Sequence, residues 1–89
     1  MTDDQLRRTL QSVGMTAFVT HLTLFESALS HSDVAAALQQ REGWTAKACH
    51  SRTSHARRIL TENHRRDALL IISASRLPEA FRAAARAAL

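Results

Sequence analysis

The chain has little of what most small catalytic or secreted proteins depend on. Its 89 residues include one cysteine, one proline, two glycines, no tyrosine and four aromatic side chains. A lone cysteine, Cys49, rules out an internal disulfide framework. Two isolated glycines, Gly14 and Gly43, leave no Gly-rich phosphate loop and no nucleophile elbow. Few residues are of the β-branched and aromatic types that fill strands. The longest dense apolar run, Leu69–Ile72, is far too short to cross a bilayer. The opening Met-Thr-Asp-Asp carries the wrong charge for a secretory signal. These absences together predict a cytoplasmic protein with no membrane attachment, and the length excludes barrels and doubly wound sheets.

Chemistry-bearing residues are present but scattered. His21, His31, Cys49, His50, His55 and His64 include no Cys-x-x-Cys or His-x-x-x-His pair, so the spacing predicts no metal site. Cys49 and His50 are neighbours, and neighbours on a helix point about 100° apart, which is a poor arrangement for an activated thiol. No enzyme activity and no cofactor are expected.

What the chain does have is alanine, sixteen of them. Alanine loses no side-chain entropy in a helix, whereas glycine and proline break one. The expectation is therefore an all-α compact bundle of about five short helices with a possible helix-turn-helix in the middle, forming a single helical domain over residues 1–89. A threonine cap, two first-turn aspartates and Leu6, Leu10 and Val13 at helical spacing place the first helix at Thr2–Val13. Gly14 should end it in the left-handed conformation. A second helix, Thr16–Leu29, collects Phe18, Leu22, Phe25 and Leu29 on one face. The third, Asp33–Glu42, buries Val34, Ala37 and Leu38 and stops at Gly43.

Thr45 caps a fourth helix, Ala46–Leu60, in which Cys49, Thr53, Ala56 and Leu60 form a narrow core-facing stripe. On a helical wheel Lys47, Ser51, Ser54 and Arg58 lie opposite that stripe, with Arg52 and His55 on one flank and His50 and Arg57 on the other. Asn63 should separate this helix from a fifth, His64–Arg76, whose Leu69–Ile72 run is apolar all round and so belongs in the core or under a partner. Pro78 opens a short last helix, Glu79–Leu89.

Charge is the most informative pattern. Between Arg41 and Arg66 lie seven bases and two acids, an excess of five, while the other 63 residues hold five bases and six acids. The whole positive excess thus sits in one third of the chain, which points to a polyanionic partner. Asp33–Leu60 also has the order of a helix-turn-helix, in which the second helix lies in the major groove of DNA. The interval from the last core residue, Leu38, to the cap, Thr45, is long for such a turn, and Trp44 within it would anchor the turn to the domain.

The leading expectation is a small DNA-binding protein, a transcriptional regulator of bacterial or phage type, that binds double-stranded DNA through Lys47, His50, Ser51, Arg52, Ser54, His55, Arg57, Arg58, Arg65 and Arg66. Lys47, Ser51 and Arg52 would face bases, and the Arg57-Arg58 and Arg65-Arg66 pairs would hold phosphates. Four to six such contacts predict a log–log salt slope of roughly −4 to −5. The alternative is a helical adaptor or inhibitor that docks an acidic protein partner on the same basic face. Small residues on the last helix (Phe81, Ala84, Ala85, Ala88 and Leu89 on one side) suggest a homodimer contact.

Overall fold

The computed structural model describes residues 1–89. It contains seven helices and no strand: α1 (Asp3–Val13), α2 (Met15–Thr20), α3 (Leu22–Glu26), α4 (His31–Glu42), α5 (Ala46–Thr61), α6 (Arg65–Ser73) and α7 (Glu79–Ala88). The all-α expectation holds. The number of helices is higher because the segment read as one helix, Thr16–Leu29, divides at His21 (φ −109°, ψ 20°). Val19, Thr20 and Thr23 are β-branched and weaken a helix there. The buried His21 ring also reaches Glu42, with Nε2 2.8 Å from Oε1. Leu29, expected in the core, is 47% exposed. The chain leaves the helix at Ser27, whose hydroxyl donates to the Leu24 carbonyl (2.7 Å) and accepts from the Leu29 amide (3.3 Å).

Local signals account for most helix ends. Thr2 and Gln5 form a reciprocal capping box at α1. Ser30 and Thr45 cap α4 and α5 through the amides of Asp33 and Ala48. Gly43 ends α4 in the left-handed conformation (φ 72°, ψ 14°). Gly14 also has positive φ (91°), but ψ is 123°, so the chain turns away from α1 in a conformation other than the expected left-handed helical one. After α5, Asn63 adopts φ 64°. The His64 amide donates to the Ile59 carbonyl and the Asn63 amide to that of Leu60, a Schellman closure that breaks what would otherwise be one long helix.

Helix α5 is the centre of the fold. It packs against α1 on one side, α4 and α3 on the other, and meets α6 near its end, while α7 covers α6 and α2. Seventeen buried residues, with at least one from every helix, form the core. Ala35, Ala56, Ala68 and Ala85 are among the most buried, and their small size lets the helices approach closely. The radius of gyration, 12.2 Å, matches the value of about 12 Å expected for a folded chain of this length. In α5 Ile59 is fully buried and Leu60 only partly, a shift of one position from the expected stripe. Two-sided packing widens the buried face beyond the narrow stripe.

The face of α7 that could meet a second copy is largely used at home. Ala85 is buried and Phe81 and Ala88 are half-buried, leaving Ala84 and Leu89 exposed. Leu69 and Ile72 are fully buried, Ile71 is half-buried, and Leu70 is 41% exposed. No helix is long and apolar enough to cross a membrane.

Candidate nucleic-acid interface

The turn between α4 and α5 comprises only Gly43, Trp44 and Thr45. That removes the length objection, because α4 continues one turn past Leu38 to Glu42, and three residues with a glycine is the usual turn of a helix-turn-helix. Trp44 does anchor the turn. Its ring lies 6.0 Å from the buried His21 ring at 83°, and the Arg52 guanidinium sits 4.2 Å above its face.

The ten basic and polar residues singled out from the sequence divide sharply by position around α5 and α6. Lys47, Ser51, Ser54 and Arg58 form an exposed ridge along α5. Both flanks of that ridge meet neighbouring helices, although His50 stays exposed. On one flank Arg52 donates to the Val13 carbonyl at the end of α1 (2.6 Å). On the same flank His55 Nδ1 donates to the Ser51 carbonyl of its own helix (2.7 Å). His55 and Arg58 also border a polar groove with Gln5, Arg8, Thr9 and Ser12 of α1.

On the other flank Arg57 reaches the end of α3. Its Nε donates to the Phe25 carbonyl (3.2 Å), and its Nη2 donates to those of Ser27 (3.2 Å) and Leu29 (2.7 Å). His50 lies beside His31 of α4, with Nδ1 and Nε2 3.0 Å apart. Arg65, on α6, pairs with Glu26 and donates to the Ala88 carbonyl (2.7 Å). Arg66 is exposed, and its side chain makes no hydrogen bond or ion pair within the chain.

The two arginine pairs therefore do not act as pairs. In each, the first residue (Arg57, Arg65) turns inward onto protein acceptors and the second (Arg58, Arg66) faces solvent, as the 100° step along a helix requires. Arg52, Arg57 and Arg65 are committed side chains, which takes their guanidinium groups out of direct contact with bases or phosphates in this conformation. Arg58 pairs with Glu62 (2.8 Å), one turn on, and that bond holds the Glu62 carboxyl below the usual range. Lys47 has no partner.

Electrostatics keeps the region positive despite this commitment. Arg52 and Arg57 are bound to neutral carbonyl oxygens, which satisfy hydrogen bonds without cancelling charge. No acidic residue occurs between Glu42 and Glu62. The region around α5 thus retains its field even where individual side chains are occupied.

In the sequence His31 is one of several scattered histidines, with no sign that it meets His50. It lies nineteen residues from His50, a spacing with no helical meaning, and counting outward from Trp44 a simple hairpin would put His50 opposite Leu38. Only the packing of α4 on α5 brings the two rings together. Comparison with protein-family models, curated proteins and solved structures finds no significant match to this chain.

Proposed function

We propose that this protein binds double-stranded DNA through the outward ridge of α5. The supporting observation is the ridge itself: Lys47, Ser51, Ser54 and Arg58 stand on the exposed side of a capped helix behind a three-residue turn, in a stretch without acids. From Lys47 to Arg58 is about 16 Å at roughly 1.5 Å per residue, long enough to follow about five base pairs of a groove. Lys47 and Ser51, near the N-terminus of α5, have the position and chemistry to meet base edges. Arg58 and Arg66 are suited to phosphates once Arg58 exchanges Glu62, an exposed partner, for one.

With Arg52, Arg57 and Arg65 engaged inside the protein, about three cations are free to release counterions, and the expected salt slope falls to about −3. Fluorescence anisotropy with a random-sequence duplex over a salt series measures it. Arg58→Ala should weaken binding and reduce the slope by about one. Absence of binding at low salt, or a slope that Arg58→Ala leaves unchanged, overturns the proposal.

One observation favours a second reading, a helical adaptor for an acidic protein. Leu70, 41% exposed on α6, stands one turn beyond the unpartnered Arg66, an apolar anchor beside a cation. A protein working this way loses its partner on Leu70→Ser and is indifferent to Ser51→Ala, whereas the DNA reading predicts the reverse.

A further inference from the structure

His31 and His50 are the two imidazoles that the fold brings together from different helices. Their Nε2 and Nδ1 atoms are 3.0 Å apart, with ring planes 16° from parallel and centroids 5.0 Å apart. Both rings reach solvent: His50 is exposed and His31 half-exposed. A contact this short between two ring nitrogens is an N–H···N hydrogen bond, in which one ring donates and the other accepts. The two nitrogens therefore hold a single proton between them.

We propose that this pair is a two-nitrogen chelate for a late first-row divalent metal of the Ni²⁺ or Cu²⁺ type, taking the place of the shared proton. With metal–nitrogen bonds of about 2.1 Å, two adjacent ligands of a square-planar or octahedral ion lie about 3.0 Å apart, and two ligands of a tetrahedral ion about 3.4 Å apart. The observed separation fits the right-angled edge, so the pair suits tetragonal ions better than tetrahedral zinc. Binding requires a lone pair on both facing nitrogens. The bridging proton moves to the outer nitrogen of the ring that carried it, and a neutral pair releases no net proton. Each ring then swings by roughly 45°, so that lone pairs that faced each other along the N···N line both aim at one ion.

No group of three or more His, Cys, Asp or Glu residues gathers anywhere in the chain. The pair therefore supplies the only protein nitrogens, and water or an outside donor completes the sphere. A metal held this way ties the start of α4 to the first half of α5. Because it binds only when the two helices are packed, it stabilises the folded chain by mass action.

The test uses NiCl2 with the full chain near neutral pH, read by calorimetric titration and by the melting temperature. The wild type should bind one ion and melt at a higher temperature as Ni²⁺ is added. His31→Gln and His50→Gln should each weaken binding about tenfold or more and abolish the rise in melting temperature. His64→Gln, on the distant α6 junction, should change neither. Absence of a saturable one-to-one isotherm for the wild type overturns the proposal. So does a Ni²⁺ affinity that either His31→Gln or His50→Gln leaves unchanged. Neither readout depends on DNA, so the result stands apart from the fate of the α5 ridge.

Discussion

Replacing Arg57 distinguishes a structural arginine from a DNA contact most directly. Helix α3 ends at Glu26 and leaves carbonyls without helical partners, as every helix end does. Arg57 supplies the donors: it bonds the carbonyls of Phe25, Ser27 and Leu29 at 3.2, 3.2 and 2.7 Å. In Arg57→Ala the Leu29 carbonyl, at the surface, rehydrates at little cost. Those of Phe25 and Ser27 are partly buried and do so less well. A net hydrogen bond to a charged group is worth roughly 1.5–3 kcal/mol, and a buried acceptor left bare costs about 1–3 kcal/mol. The three bonds share one guanidinium and do not add, so the loss should be about 2–4 kcal/mol. For a domain of this size that lowers the melting temperature by about 10 °C or more. Arg57→Lys keeps the charge but not the three-way reach, and should recover less than half of the loss. Urea unfolding at constant slope measures the change. Arg66→Ala, which removes an exposed cation without partners, is the reference and should stay within about 0.5 kcal/mol of wild type. If Arg57→Ala and Arg66→Ala prove equally mild, Arg57 does not brace the α3–α4 junction and the inward reading of the arginine pairs is wrong.

Two further outcomes follow from the geometry. A Cβ built on Gly14 would lie 2.8 Å from Arg52 Nη1, which donates to the Val13 carbonyl in a guanidinium that also sits over the Trp44 ring, so Gly14→Ala combines a positive-φ penalty with displacement of that arginine. It should cost about 2–3 kcal/mol, against about 1 kcal/mol for Gly43→Ala, where nothing lies within 4 Å; equal urea midpoints for the two would refute the Arg52 clamp. Glu79 accepts from Arg82 (2.7 Å) and from Arg86, and the Arg86 hydrogen bond, with both positive charges, holds its carboxyl below the usual range near 4.5. A depressed carboxyl contributes stability that is present above the unfolded value and is lost as pH falls through the folded one. Glu79→Gln should therefore melt below wild type at neutral pH and approach it in acid, and a gap unchanged by pH would count against the pairing.

The position of α5 explains why so many of its cations are structural. A helix packed on two sides has two flanks where side chains meet neighbouring helix ends, and those ends present carbonyl groups that need donors. Long guanidinium side chains reach such carbonyls from one or two turns away and keep their charge while doing so. In this way Arg52 closes α1 and Arg57 closes α3, and Arg65, on α6, likewise reaches the end of α7. The same residues that raise the local charge thus hold the helices together, and counting them from composition overstated the number available to a partner.

Much of the molecule was legible from local rules. Alanine content and scarce glycine and proline set the all-α class. Thr2 and Thr45 mark helix starts and Gly43 and Asn63 mark ends, because capping depends on side chains within three or four residues of the amides and carbonyls they satisfy. The wheel of α5 separated ridge from flanks correctly for the same reason, since helical periodicity is a short-range property. Sequence spacing could not say what covered the flanks. The contacts of Arg52 with Val13, Arg57 with Phe25 and Arg65 with Ala88 span 39, 32 and 23 residues, and the break at His21 answers to Glu42, twenty-one residues away. The meeting of His31 and His50 has no local cause at all. Local chemistry determined which segments are helical and which way their side chains point, whereas the packing of α5 between α1 and α4 decided which cations remain free, because a side chain's partner depends on what the fold places within its reach.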